Sequence, residues 1–257
     1  MAARRSMRFA FLAGLLASPV CIAAAPCLSA LARRAAMLAV SRCIDDPMAR
    51  ALAGDAAMAT LQEESAHARA VTADAATEAG LRAKWLREAA ADAGGDQLAV
   101  LCAGFDTAAF DASAAAGRRV FEVDDGRILS LKSSLIHTRG ADVERVAASI
   151  TYVPEPLTGR AWAWALLTSG FDPSRRTAWL LPDLSMDDFG AQELSAARTR
   201  LATAPTYYSP PGSALVFCMR ERAVGESPAA WLCRLGYSSA IEAPVGVRGQ
   251  IGVVAWV

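Results

Sequence analysis

Short, uninterrupted apolar runs recur through the second part of this chain. LAVLCA (98–103) lies between GGDQ and GFD, and RVFEV (119–123), SITYV (149–153), TAWLL (177–181), SALVFCM (213–219) and IGVVAWV (251–257) follow. Apolar runs of this length, bounded by turn residues, are what strands buried on both faces look like. Stretches with helical spacing separate them, at 127–138, 159–169 and 190–204. The alternation predicts one α/β domain over 94–257 with a mainly parallel sheet. Ahead of it, from Leu31 to about Ala93, apolar residues recur at helical spacing and Gly and Pro are few. That segment, 31–93, reads as a helical N-terminal cap with breaks at Gly54, Gly80 and Gly94.

The first 30 residues have a different texture. Arg4, Arg5 and Arg8 precede FAFLAGLLASPVCIAAAPCLSALA, and the first acidic residue is Asp45. A basic start followed by an apolar run resembles a secretory leader, and an Arg-rich, acid-free start resembles an organellar one. A third reading starts translation at Met37 and leaves the protein cytoplasmic. Pro19 and Pro26 interrupt the run, which is short for a membrane span, so no stable span is expected once a leader is removed.

Composition narrows the function classes. Hydrophobic residues make up 54% of the 257 residues and charged residues 20%, enough for a real core. Lys+Arg and Asp+Glu are 26 each, so no basic field exists to hold a nucleic-acid backbone. Lys84 and Lys132 are the only lysines of an Arg-rich chain. Six cysteines, none in a CxxC pair, and two histidines, His67 and His137, make a zinc site of sequence-local ligands unexpected. The thiols read as small buried hydrophobes.

In an open α/β sheet, ligands sit beyond the carboxyl ends of the strands, near the reversal of strand order. The loop after the first strand is CAGFDT (102–107), in which Gly104 can take a positive φ. It is not the dinucleotide GxGxxG, and no GxxxxGK[ST] occurs in the chain. The second strand runs into FEVDD (121–125), about 20 residues after the glycine loop, where an acidic residue can accept bonds from ribose hydroxyls. Together they point to a nucleoside ligand without a pyrophosphate. Glu122 and Asp124 should share a face of the strand. Glu122, deeper in the strand, is the first candidate for the ribose. Asp125 should cap the next helix.

The order of motifs resembles the leucine carboxyl methyltransferase family of S-adenosyl-L-methionine-dependent enzymes. It is most similar to the branch of bacterial-type O-methyltransferases. DDPMARALAG (45–54), QLAVLCAGFDT (97–107), VFEVDDGRILSLK (120–132), YVPEPL (152–157), GFDPSRRTAWLL (170–181) and PPGSALVF (210–217) carry the likeness. The resemblance implies an α/β, three-layer class I methyltransferase (Rossmann-like) sheet with a reversed last strand. It implies S-adenosyl-L-methionine as cofactor and a small molecule or carboxylate as methyl acceptor. Ala103, Gly104 and Phe105 would approach the methionine part and Asp106 would hold the loop. Glu122 and Asp124 would take the ribose, Leu157 would lie near the adenine, and Arg82 or Arg42 would bind the cofactor carboxylate. No catalytic residue is implied.

The family's GAGxDTR has Cys102 for its first glycine and Ala108 for its arginine here. Pro156 stands for an aspartate and Pro182 for a glutamate, with Asp183 or Asp187 as substitutes for the latter. About thirty residues between Met219 and Ile251 replace a longer family segment. These departures motivate an alternative, an inactive methyltransferase-fold protein serving as a binding or scaffold subunit. His137 reads as a surface residue and the tryptophans as packing. Tyr207 and Tyr208 are candidates for the mouth of the site.

Overall fold

A computed structural model describes residues 46, 48–49, 51–52, 66–139, 146–155, 157, 161–182, 191–220 and 227–257. The leader expected at 1–30, together with Met37, Arg42, Pro156, Asp183 and Asp187, lies outside the described residues.

The strands are β1 (Gln97–Leu101), β2 (Arg119–Val123), β3 (Ser149–Val153), β4 (Thr177–Leu181), β5 (Ala214–Arg220), β6 (Ser239–Pro244) and β7 (Gln250–Trp256). The helices are α1 (Ala66–Ala93), α2 (Ala112–Ala115), α3 (Gly126–Arg139), α4 (Ala161–Thr168), α5 (Ala191–Tyr208) and α6 (Pro228–Arg234). The sheet order is β3-β2-β1-β4-β5-β7-β6. β1 to β5 pair in parallel, and β7 runs antiparallel to both β5 and β6. Strand order reverses between β1 and β4, and the carboxyl ends of these strands are where open α/β sheets take ligands.

β1 and β4 are buried at every position. Side chains alternate across a strand, so each must be apolar on both faces. Leu98, Val100, Ala178, Leu180, Ala214 and Val216 point to one face and pack with Leu86 and Ala90 of α1 and Leu129 of α3. Ala99, Leu101, Trp179 and Leu215 point to the other and pack with Trp162 and Leu166 of α4 and Leu201 of α5. There Phe171 stands 5.5 Å from Phe121 and 5.3 Å from Trp179, ring centre to ring centre. The fully buried Trp179 donates its indole N–H to Ser209 Oγ at 2.7 Å.

The six strands read from apolar runs are all present, shifted at most by a residue or two at their ends. β6 had no such run: it is the exposed edge strand SAIEAP, and an edge needs little apolar content. Gly80 does not break α1, because the helix's sheet-facing side outweighs a cost of about 1 kcal/mol for one glycine. α1 is a wall of the sheet sandwich, since Leu86, Ala90 and Ala93 share a core with the strands. α5 runs past the expected end at 204 and carries Pro205 inside it. Leu201, Ala202 and Ala204 are buried beside this turn, and tertiary packing holds a helix that the proline would otherwise end.

Gly252 of β7 marks a close approach. A Cβ there would stand 2.3 Å from the Trp85 ring, so the missing side chain is where the indole lies. Gly252→Ala should therefore lower stability by about 1–3 kcal/mol in urea denaturation. Adding Trp85→Leu should recover most of that loss, and an unchanged midpoint in the single variant would contradict the packing.

Candidate functional site

The loop between β1 and the 3-10 turn Ala108–Phe110 lies at the reversal of strand order. It folds as a tight turn in which the Asp106 N–H donates to the Ala103 carbonyl at 2.7 Å. Gly104 has φ +46 and Cys102 φ +53. The Gly104 conformation meets the expectation for a glycine. Cys102 is different: a side chain in the left-handed region is strained, and it occupies the position where the resembled motif has glycine. Cys102→Gly should raise stability by up to about 1 kcal/mol in denaturant titration, through relief of that strain. A loss of stability would mean that packing of the thiol outweighs the backbone.

Asp124 follows the last residue of β2 and reaches across to this loop. Its Oδ2 accepts the Gly104 N–H at 2.6 Å, and its Oδ1 accepts the Asp125 N–H at 2.6 Å. Burial pushes its carboxyl up, against the two N–H groups, and the net direction is upward. Each oxygen keeps a further lone pair for a ligand hydroxyl. Asp125 accepts the Arg127 N–H at 2.9 Å and caps α3, as expected.

Glu122 is not where the sequence placed it. It is fully enclosed, and its Oε2 meets the ammonium of Lys132 at 2.7 Å, both side chains having no exposure. The depth that recommended it for the ribose takes it beneath the surface, under α3. Glu122 is therefore closed off from the rim, and the half-buried acidic residue beside the glycine loop is Asp124. Burial raises the Glu122 carboxyl, opposed by the Lys132 charge. Lys132 also donates to the Asp106 carbonyl at 2.5 Å. No sequence motif singled it out. Its one signal was being one of two lysines in an Arg-rich chain.

Asp106 is buried, and its Oδ1 accepts the Ala108 N–H at 2.7 Å, which stiffens the loop from within. Ala103 is buried and Phe105 is half-buried. Leu157 lies in a turn beyond β3, nearly enclosed in the core of the α4 face. Arg82, half-buried on α1 one turn before Leu86, acts on Cys218 of β5. Burial pushes the Cys218 thiol up to about 12, with Arg82 opposing. Tyr207 and Tyr208 do not border the mouth. They precede β5, and a segment leading into a parallel strand lies at the rim opposite its carboxyl end. Pro182, directly after β4, is buried. His137 is exposed on α3.

A second network, absent from the sequence reading, clasps the outer side of the loop. Arg87 of α1 donates to Asp46 Oδ2 at 2.6 Å, to Thr107 Oγ1 at 2.5 Å and to Asp111 Oδ2 at 3.4 Å. Thr107 Oγ1 also bonds Asp46 Oδ2, and Asp46 Oδ1 accepts the Ala49 N–H at 2.9 Å. Met48, Ala49 and Leu52 are buried behind it. Burial works against the charge of Arg87, but Asp106, Asp46 and Asp111 outweigh it. For Asp46 burial likewise acts upward, and Arg87 with its hydrogen bonds brings the carboxyl below its ordinary value. A depressed folded-state value stabilises fully above the ordinary carboxylate range and is lost as pH falls through the folded value. Asp46→Asn should cost about 1–2 kcal/mol at neutral pH. Its stability should also fall less than that of the parent below about pH 4, followed by denaturation across pH.

A seven-stranded sheet of this order, with β7 reversed and an acidic strand end facing a glycine loop, defines the Rossmann-like class I methyltransferase fold. The chain belongs to the leucine carboxyl methyltransferase family, whose model matches residues 27–186. It is similar to a Frankia alni protein named "Putative S-adenosyl-L-methionine-dependent methyltransferase FRAAL3836", 35% identical over 170 residues, 58% of each chain. A Mycolicibacterium smegmatis protein named in the same terms is 40% identical over 95 residues, 37% of this chain and 28% of that one. The matches thus span 28–58% of the length of these two relatives. Among solved structures, a "possible exported protein" from Bordetella parapertussis shares the fold at TM-score 0.53 and 15% identity, covering 93% of this chain and 99% of that one.

Proposed function

We propose that the protein binds S-adenosyl-L-methionine at the β1–β2 crevice and transfers its methyl group to an oxygen of a small molecule or to a carboxylate. The observation that carries this reading is the Asp124–Gly104 link at the reversal of strand order. The residues present fit the cofactor. A left-handed glycine lets the chain turn sharply beneath a ligand. A half-buried carboxylate with free lone pairs suits two vicinal hydroxyls. When bound, the cofactor supplies a methyl already activated on a sulfonium.

The chain's part is then binding and alignment. Asp124 accepts the ribose hydroxyls while it keeps Gly104 in place. Ala103, Gly104 and Phe105 line the methionine side, and Asp106 holds their turn. Arg82 faces the cofactor carboxylate and Leu157 backs the adenine side. The fold and the family support this assignment, together with the names of the two relatives. A binding or scaffold role without turnover is the second reading. Its support is Cys102, strained where a glycine would relax, and Pro182, a buried residue without a hydrogen-bonding side chain at the end of β4.

Calorimetric titration of S-adenosyl-L-methionine and of its demethylated product separates the two. Micromolar binding is expected, with Gly104→Arg abolishing it and Asp124→Ala weakening it at least about tenfold, as for loss of one charged hydrogen-bonding partner. No heat and no thermal shift at millimolar ligand would overturn the enzyme reading.

A further inference from the structure

The Glu122–Lys132 pair is an ion pair with both side chains shut away from water, and cofactor binding does not use it directly. Both side chains are fully enclosed. The Glu122 Oε1 atom is buried without a hydrogen-bond partner. Removing two charges from water is expensive, and a buried pair rarely stabilises a fold more than apolar groups of equal volume would. Its contribution here is therefore directional. The ammonium, drawn by Glu122 Oε2 at 2.7 Å, donates to the main-chain carbonyl of Asp106 at 2.5 Å. That carbonyl belongs to the tight turn that presents Gly104. The turn is held at the rim by Asp124 and at its floor by Lys132.

We propose that Lys132, aimed by Glu122, is a positioning residue that sets the conformation of the 103–106 loop for the cofactor. The inference rests on the cofactor reading above. Lys132 touches neither cofactor nor acceptor and acts through the Asp106 carbonyl. Glu122 fixes the direction of the ammonium, and α3 and β2 carry the two partners on opposite sides of one packed layer. With the lysine gone, the turn keeps its bond to Asp124 but loses the donor beneath it.

The test compares the parent with Lys132→Met and with the paired change Lys132→Met/Glu122→Leu. The single variant leaves a carboxylate buried alone and should be strongly destabilised. The pair removes both charges and should recover most of that stability. In the ligand-free paired variant, amide exchange across 102–107 should be at least about tenfold faster, with β4 amides unchanged. Its dissociation constant for S-adenosyl-L-methionine should rise at least about tenfold. A purely structural pair would leave loop exchange and affinity at parental values once stability is recovered, and that result overturns the proposal. Should the paired variant not fold, Lys132→Arg takes its place. Its planar fork can keep Glu122 but displaces the donor from Asp106. Faster loop exchange supports the proposal and parental exchange overturns it. If the parent itself binds no S-adenosyl-L-methionine, the cofactor reading fails alone, and exchange in the ligand-free proteins still decides whether Lys132 holds the loop.

Discussion

Burial on both faces of β1 and β4 is the constraint on which the rest of this protein depends. The two strands are neighbours in the middle of the sheet, and neither offers a polar side chain to solvent along its length. Each face must then be covered by helices, which forces crossover connections and a parallel sheet. The reversal of strand order between β1 and β4 follows from that wrapping. At that place the glycine loop 102–107 leaves the carboxyl end of β1. The place where open α/β sheets take their ligands is thus a consequence of how the core is closed.

The polar groups around the crevice then serve a single segment of chain. The 102–107 loop leaves the core at the point where helices no longer cover it. Asp124 holds it at the rim, the Lys132 ammonium from below and the Arg87 cluster from its outer side. All three supports come from elements distant in sequence. Arg87 is drawn from α1, Asp124 from the end of β2 and Lys132 from α3. The loop's own residues add a turn bond and the Asp106 side-chain bond to Ala108. Such a loop keeps a strained residue, Cys102, because its surroundings over-determine its path.

Two carboxylates two residues apart show how finely depth divides roles. Glu122 and Asp124 follow the same strand, and alternation sends both to one side of it. Lys132 of α3 lies against the first, and the second reaches the Gly104 N–H instead. One becomes a buried partner of a lysine, and the other becomes a half-buried acceptor of the glycine-loop N–H. The chemistry of the side chains is nearly the same; burial and partners decide the difference.

Local pattern carried most of the fold. Apolar runs located six strands, three of the helices appeared between them, and the glycine loop and the acidic strand end could be read in order. Those features depend on burial and backbone freedom, which short stretches of chain encode directly. What escaped the sequence depended on neighbours. β6 is stabilised by pairing with β7 and needs no apolar run of its own. α1 passes Gly80 and α5 contains Pro205 because their buried faces are paid for by the sheet. Lys132 under Asp106, Arg87 beside Asp46 and Trp85 over Gly252 join residues 26 to 167 positions apart, and neither partner's local sequence shows the pairing. The sequence by itself determined the class of sheet and the place of its glycine loop, because hydrophobic pattern dictates which faces must be hidden. Only the tertiary structure decided which carboxylate is buried, which one bonds the glycine loop and which cations hold that loop. Those choices turn on distances across the packed core, and a linear pattern does not contain them.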